Sequence, residues 1–375
     1  MSFWSLRSPD VEEAALPWRM LNGVLLAAGL ALVAAYLFIA VVTEREPYDY
    51  ALLMRSAIIF CEDQAHFAYG VTQYSDGQPQ RSFYPAPFYS AFCVPYRHAH
   101  DGLLMVWLLI PVIWVLALGQ RRAALLAYPP LFVLLLGQST GWLIPLYFLA
   151  ASKRAPRWWH GVFLGAALFK PHIAILAVVI LLWRWRKTPS ALFVGAVTCL
   201  GLLIPAFLQF PGWLGVWLKN GRGFEPVNLA SVARIPVRGL NLQFVTTPGM
   251  LVLVWGFAIG VALFVAWLLW QRRGRLTVYD LVLIFCFTLP LINDYDLVIL
   301  LPFLVQRPKR MLIALAAGLP AWLYAMMTTQ PTMPLGFYNL SVLITLALIA
   351  ERVLDLRKGP FVETVRKPSG MEESI

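Results

Sequence analysis

The sequence predicts an all-α polytopic membrane protein with about 10–12 transmembrane or partly spanning helices and a large first outer loop. The chain of 375 residues is 60% hydrophobic and only 13% charged, whereas soluble domains are about 45–50% apolar and about 25% charged. Its mean hydropathy is +0.69. Lys and Arg occur mostly in short clusters between apolar runs, as expected for cytoplasmic loops. The net charge of +11 therefore indicates membrane topology, and no nucleic-acid partner is expected.

The first apolar run and the basic clusters define the topology. Met20–Val42 is too long for the apolar core of a signal peptide and long enough to cross a bilayer, which predicts a retained first span. Basic clusters are expected in the cytoplasm, and they lie at residues 121–122, 153–157, 184–187, 272–275, 307–310 and 352–358. Both termini are then cytoplasmic, and the connections between the clusters face outwards. We expect a multi-pass protein of the cell membrane.

These boundaries predict a single integral-membrane domain over residues 1–358, followed by a disordered cytoplasmic tail at 359–375. Residues 44–102 form the first outer loop and residues 210–249 the second. Within the second loop, Phe210–Asn220 has apolar residues at helical spacing, which predicts an amphipathic helix on the outer membrane interface. No internal repeat is visible, and this argues against transporter folds built from two related halves.

The first outer loop contains acidic, aromatic and cysteine residues. Asp49 could act as a general base on a hydroxyl nucleophile, or it could belong to a solvated acidic loop. Tyr84 lies in an aromatic, proline-rich stretch that suits either a sugar ring or an interfacial belt. Cys61 and Cys93 could pair if the loop faces an oxidising compartment; the alternative is that they are unrelated apolar cysteines.

Several later apolar segments are shorter than the roughly 20 residues that a spanning helix needs. Either these segments are tilted, or they form hairpins whose outer tips stop within the bilayer. Polar groups at that depth are tolerated where they line protein or a water-filled cavity. The tips carry the polar residues Gln138, Lys170, His172, Asp294 and Asp296. We therefore predict an externally open cavity that binds a polar ligand.

The cations of these segments suit a phosphate. Lys170 could bind phosphate as a point charge, pair with one of the two aspartates, or extend to the interface. Arg234 and Arg238, in the second outer loop, could clamp a phosphate or bind lipid headgroups. His172 alone is more typical of a buried hydrogen-bonding group. The sequence has no Walker loop, dinucleotide-binding glycine motif or zinc constellation, so no cofactor and no metal is expected.

Five short motifs, in their order along the chain, resemble glycosyltransferase family 87 of the GT-C superfamily. That family comprises polyprenyl-phosphate-mannose-dependent mannosyltransferases and their arabinofuranosyl relatives. The resemblance covers roughly residues 40–300. The motifs are Tyr48-Asp49-Tyr50, Phe83-Tyr84-Pro85-Ala86-Pro87, Gly137-Gln138, Lys170-Pro171 and Asp294-Tyr295-Asp296-Leu297.

The resemblance implies a multi-span GT-C-like fold with an active site on the extracytoplasmic face. It also implies inverting transfer of a sugar, mannose being favoured, without a nucleotide sugar. The expected partners are a polyprenyl-phosphate sugar donor, a lipid or glycan acceptor and membrane lipids. By the family pattern Asp49 is the catalytic base, while Gln138 and Lys170 occupy the Gly-Gln and Lys-Pro positions.

Two features depart from the family pattern: Glu44 and Glu46 compete with Asp49 as the base, and His172 has no family role. Other functions stay open. They are a transporter or flippase of lipid-linked sugars, a catalytically inactive GT-C-like assembly subunit, and a transferase that moves a different group. The polar residues within the apolar runs collect on one side of the membrane. This asymmetry favours the enzyme, because a transporter needs gates on both faces.

Overall fold

The computed structural model describes a bundle of helices. The described residues are 16–42, 47–62, 72–73, 79–80, 84–118, 122–127, 130, 133–134, 137–152, 154–221, 248–273, 276–289, 292–327 and 335–357.

The α-helices in chain order are α1 (Leu16–Val42), α2 (Tyr48–Glu62), α3 (Ala86–His98), α4 (His100–Leu118), α5 (Ile144–Ala151), α6 (Pro171–Trp185), α7 (Pro189–Gln209), α8 (Trp213–Gly221), α9 (Pro248–Arg273), α10 (Val278–Thr288), α11 (Leu301–Leu304), α12 (Pro308–Met327) and α13 (Leu335–Arg357). Helices of the 3₁₀ type lie at Arg122–Leu126, Ser139–Leu143, Trp158–Leu168 and Asp294–Leu300. Two short antiparallel strands, β1 (Thr72–Gln73) and β2 (Pro79–Gln80), pair in the first outer loop.

The prediction of an all-α polytopic membrane protein is confirmed. Within the described residues, 4 helices are long and apolar enough to cross a membrane, and they contain Met20–Phe38, His100–Ala117, Pro189–Gln209 and Val252–Gln271. Shorter apolar segments lie at Ser139–Ala151, Pro171–Trp185, Val278–Thr288 and Tyr295–Leu304. The first three overlap segments that the sequence marks as too short to span, whereas Tyr295–Leu304 is not among those segments.

The short segments form much of the buried core. Residues 144–150 of α5 are all buried, whereas the long helices α7 and α9 expose large apolar side chains such as Phe193 and Phe264. The long helices thus carry large apolar side chains at the surface, whereas the short helix α5 is enclosed by protein. Polar residues next to such an enclosed segment are tolerated, because protein groups can satisfy them. This burial favours hairpin tips inside the bundle over tilted spans.

The two described helices of the predicted first outer loop are more buried than the polar sequence of this segment suggests. Helices α2 and α3 pack against each other, and Phe60 and Tyr89 between them are fully buried. A disulfide joins Cys61 to Cys93 across 32 residues, which decides between the two alternatives for these cysteines. Closing a loop of this length stabilises the folded chain by about 3–4 kcal/mol.

The predicted amphipathic helix is present as α8, but it begins at Trp213 rather than Phe210 because Phe210 caps the end of α7. Trp213 is buried and its ring centroid lies 5.5 Å from that of Phe207. Leu214 and Leu218, on the same predicted apolar face, are exposed. That face is therefore divided between a contact with α7 and an uncovered side.

The 3₁₀ helix Trp158–Leu168 packs closely against α7. A Cβ atom added to Gly161 would lie 2.1 Å from the carbonyl oxygen of Ala191 and 2.6 Å from the backbone nitrogen of Gly195. Small residues permit such backbone contact between membrane helices. The contact anchors the segment that leads directly to Lys170.

A buried ion pair joins α10 to α13. Arg352 donates from Nε to Asp280 Oδ1 at 2.6 Å and from Nη2 to Oδ2 at 3.0 Å. Asp280 also caps α10, because its Oδ2 accepts the backbone N–H of Thr277 at 2.8 Å. Both charged side chains are buried, so each depends on the other for its charge compensation.

Replacing Arg352 by Gln should lower the free energy of unfolding by about 3–5 kcal/mol, because Asp280 would stay buried without its partner. Thermal denaturation of the purified protein in detergent measures the change. Lys309→Gln, an exposed position on α12, is the matched control and should change stability by no more than about 0.5 kcal/mol. Equal stability of Arg352→Gln and the wild type would contradict a structural role for the pair.

Candidate active site

Asp49 lies in the first turn of α2. Its carboxyl group is half-buried and accepts a hydrogen bond from Nε2 of Gln138. Burial raises the pKa of this carboxyl from 3.8 to about 6, although the hydrogen bond from Gln138 and the charge of Lys170 act in the opposite direction. At neutral pH Asp49 is therefore ionised, and it is a stronger base than an exposed aspartate.

The turn at Gly137 and Gln138 positions the amide that meets Asp49. Gly137 has a φ of 65°, in the left-handed region that favours glycine. A Cβ atom there would lie 2.7 Å from Cβ of Tyr50, so the turn requires glycine to pack against α2. The carbonyl of Gly137 accepts a hydrogen bond from Nε1 of Trp107 at 2.7 Å. These contacts hold the turn between α2 and α4.

Gln138 connects the carboxylate to the other polar side chains. Its Oε1 accepts a hydrogen bond from the Tyr84 hydroxyl at 3.1 Å, while its Nε2 donates to Asp49. The Ser139 hydroxyl donates to the Tyr84 oxygen at 2.8 Å. Nζ of Lys170 lies 3.5 Å from the same Oε1. The amide oxygen thus faces donors and the amide nitrogen faces the carboxylate, which assigns the orientation of the side chain.

Lys170 and Asp296 form a buried ion pair in which Nζ lies 2.7 Å from Oδ1. The hydroxyl of Thr140 accepts from Nζ at 2.9 Å and donates to Oδ1 of Asp296 at 2.7 Å. The second oxygen of Asp296 accepts the backbone N–H of Asn293 at 2.9 Å. Nζ also lies 4.3 Å from the centroid of the Tyr295 ring. Ion pairing and hydrogen bonds therefore compensate both buried charges.

The Lys170-Pro171 break in the apolar run has a structural explanation. The 3₁₀ helix Trp158–Leu168 ends just before it, and Pro171 occupies the first turn of α6. A proline is favoured there because the first helical N–H groups lack helical partners. The break places Lys170 at the N-cap of α6, where its side chain reaches the centre of the bundle.

The polar cluster can move a proton and bind an oxyanion. We define the cluster as Asp49, Gln138, Thr140, Lys170 and Asp296. Because Lys170 pairs directly with Asp296, Asp49 is the carboxylate that can accept a proton from a hydroxyl group. A lysine has three N–H donors. Two make short hydrogen bonds here, and the third faces the longer contact with Gln138 Oε1, so it can turn towards an anionic oxygen.

Most of the predicted site residues that the structure describes come together. Direct contacts join Asp49, Tyr84, Gln138, Lys170 and Asp296. Of the alternatives for Lys170, the pairing with a carboxylate is the one observed, and the partner is Asp296. His172 lies in the first turn of α6, half-buried, two positions after Lys170.

Other predicted residues fall outside the described part of the chain. Asp294 begins a 3₁₀ helix, but its side chain is among the groups not described. The remaining four are Arg234, Arg238, Glu44 and Glu46. Their roles as phosphate ligands or competing bases stay predictions.

Sequence reasoning missed Thr140, Ser139 and Tyr295. Ser139 and Thr140 follow the Gly137-Gln138 motif, and Tyr295 lies within the motif that contains Asp296, where it was given no role. Their hydroxyl and aromatic groups were an available signal, but only the tertiary contacts show which atoms they meet. Among the described residues, no group of three His, Cys, Asp or Glu side chains could hold a metal ion.

Comparison with known proteins agrees with the motif resemblance. The model of glycosyltransferase family 87 matches residues 87–293, more than half of the 375-residue chain. The matched region contains Gln138 and Lys170, while Asp49 and Asp296 lie on either side of it. No curated protein and no solved structure shows a significant match to the chain. From the extent of the family match, we conclude that the chain belongs to glycosyltransferase family 87, whose members are membrane glycosyltransferases.

Proposed function

We propose that this glycosyltransferase moves a sugar, mannose being favoured, from a polyprenyl-phosphate donor to a hydroxyl group of a lipid or glycan acceptor. The observation that carries the proposal is the half-buried Asp49 carboxylate, which Gln138 links to the buried Lys170–Asp296 pair. A base and an ammonium group thus lie close together within an apolar bundle. This combination suits a reaction in which a hydroxyl group loses a proton while a phosphate leaves.

Asp49 acts as the general base in this proposal. It accepts the proton of the acceptor hydroxyl as that oxygen forms a bond to the anomeric carbon. The bond between the anomeric carbon and the phosphate oxygen breaks, and the polyprenyl phosphate leaves with the bonding electrons. Gln138 is a positioning residue, because its amide N–H holds one carboxylate oxygen while the other stays available for the proton.

Lys170 stabilises the leaving phosphate. The ammonium group keeps its bonds to Asp296 and Thr140, and its third N–H turns from Gln138 to a phosphate oxygen. The buried surroundings strengthen such an interaction relative to water. Arg234 and Arg238 are proposed to add positive charge from the second outer loop, and His172 and Asp294 to line the donor site. Tyr84 contributes an aromatic face next to the sugar.

An extracytoplasmic active site is supported by the first outer loop. The connection between α1 and α4 contains the Cys61–Cys93 disulfide, and disulfides persist in oxidising compartments. The polar cluster lies near the same end of α4, because Trp107, in the second turn of α4, donates a hydrogen bond to the carbonyl of Gly137. With this orientation the basic clusters face the cytoplasm, and both termini lie there.

The direct test is a transfer assay with the purified full-length protein in nanodiscs. Polyprenyl-phosphate mannose is supplied with the total lipid extract of the host, and both the release of polyprenyl phosphate and the new glycolipid are measured. Formation of both products in a 1:1 ratio supports the proposal. Release without a glycolipid indicates hydrolysis. Failure with mannose and with pentose donors, combined with movement of donor between leaflets, would instead assign a flippase.

The rate of transfer should depend on pH through Asp49. We expect kcat/KM to fall about tenfold per pH unit below about pH 6, because the protonated carboxyl group, whose pKa is raised to about 6, cannot accept a proton. The phosphodiester of the donor stays ionised throughout this range, so it does not produce the same profile. A pH profile that is flat between pH 5 and 8 would exclude Asp49 as the titrating base.

A further inference from the structure

A second polar site lies at the ends of the helices remote from the polar cluster. Lys170 is the N-cap of α6 and Trp185 is its last residue, so the two residues are roughly 22 Å apart along the helix axis. A cavity of about 170 Å³ is present at the Trp185 end. It lies between the end of α5, the end of α6 and the start of the 3₁₀ helix Trp158–Leu168. Its lining residues are Leu149, Ser152, Arg154, Ala155, Pro156, Arg157, His160 and Trp185.

His160 lines this cavity and carries a buried hydrogen-bond donor that has no partner. Its Nδ1 accepts the backbone N–H of Arg157 at 3.1 Å, and a neutral imidazole that accepts at one nitrogen carries its proton on the other. Nε2 is therefore the donor. That atom is buried without a partner, in a side chain only 3% exposed. A buried donor of this kind costs free energy unless a ligand accepts its hydrogen bond.

The charges around the cavity favour an anion. Arg154 and Arg157 line it, and the sequence between Asp101 and Glu225 contains no Asp or Glu, so the lining segments themselves carry positive charge. The cavity also lies at the start of the Trp158–Leu168 helix, where the backbone dipole favours negative charge. Each guanidinium group is a planar fork of N–H donors that suits phosphate oxygens.

The neighbourhood of the cavity indicates where the phosphate comes from. Trp158 and Trp183, at the same ends of these helices, are 62% and 68% exposed. Exposed tryptophans are typical of the membrane interface, and basic pockets between membrane helices bind anionic lipid headgroups. We propose that this cavity binds the phosphate of an anionic phospholipid headgroup on the membrane face opposite the polar cluster. The site is separate from the proposed sugar transfer.

The variant His160→Asn tests the site with little change in fold. The Asn side-chain oxygen can still accept the backbone N–H of Arg157, but the Nε2 donor is lost. Native mass spectrometry of the delipidated full-length protein measures binding of phosphatidylglycerol, with phosphatidylcholine as the zwitterionic comparison. We expect phosphatidylglycerol to bind the variant roughly ten- to a hundredfold more weakly than the wild type, the effect of one hydrogen bond to a charged group.

Two further variants keep the test decisive if His160→Asn unfolds. Arg154→Gln/Arg157→Gln changes exposed residues that line the cavity and should also weaken binding. Arg186→Gln/Lys187→Gln removes two exposed charges from the same end of α6 without touching the lining, and should leave binding unchanged. Equal binding of phosphatidylglycerol to the wild type and both lining variants would overturn the proposal. If inorganic phosphate binds with the same dependence on His160 while the lipid does not, the phosphate site stands and its ligand is soluble.

Discussion

Replacing Asp49 by Asn is expected to lower kcat for sugar transfer by roughly 10²–10⁴-fold, because an amide cannot accept the proton that the acceptor hydroxyl loses. The side-chain oxygen of Asn can still accept the hydrogen bond from Gln138, so the fold and the donor site should be preserved. Donor binding and the unfolding temperature should stay close to those of the wild type. Turnover is measured as polyprenyl phosphate released per enzyme.

The matched control is Asp101→Asn. Asp101 is a fully exposed carboxylate in the first turn of α4, at the end of the helix where the first outer loop joins it. Its replacement makes the same chemical change away from the polar cluster, and activity should be unchanged. If Asp49→Asn retains full activity, Asp49 is not the base, and Glu44 and Glu46 become the candidates to test.

Removing either partner of the Lys170–Asp296 pair should produce the second large effect. Lys170→Met leaves the carboxylate of Asp296 buried and unpaired, and Asp296→Asn leaves the ammonium group of Lys170 buried without its ion-pair partner. Each single variant is expected to lose about 3–5 kcal/mol of unfolding free energy. The double variant should lose less than the sum, since neither charge remains, with a coupling energy of about 0.5–3 kcal/mol. Lys219→Met, an exposed position on α8, is the stability control.

The double variant also separates the structural role of Lys170 from its proposed chemical role. If Lys170 stabilises the leaving phosphate, the kcat of the folded double variant should fall by roughly 10²-fold or more, which is the effect of removing one transition-state donor. A folded double variant with wild-type kcat would restrict Lys170 to holding the bundle together. If the stability loss of the double variant equals the sum of the losses of the two single variants, the side chains do not interact directly.

The membrane class and the list of polar residues could be predicted from the sequence because hydropathy is a local property. A charged or amide group inside an apolar run is conspicuous wherever it occurs, and Gln138, Lys170 and Asp296 were identified in this way. Their exact partners were not. The sequence allowed Lys170 to bind phosphate, pair with an aspartate or extend to the interface, since each outcome is compatible with the same residues.

The buried character of the first outer loop was missed for a related reason. Its composition is polar on average, yet α2 and α3 place Phe60 and Tyr89 against each other in the core. Pairing of Cys61 with Cys93 could not be decided either, because it requires the two helices to approach closely. Composition reports how many apolar groups a segment has, whereas burial depends on which of them share a face.

The sequence by itself determined that this chain is a polytopic membrane protein with motifs of one glycosyltransferase family. Only the tertiary structure decided that Gln138 meets Asp49, 89 residues away, and that Asp296 is the partner of Lys170 across 126 residues. The physical reason is the range of the interactions. The free energy of transferring side chains into lipid is a sum over one short segment of sequence. A hydrogen bond or ion pair instead needs two atoms within about 3 Å of each other. When their residues are far apart in sequence, only the packing of the helices brings these atoms together.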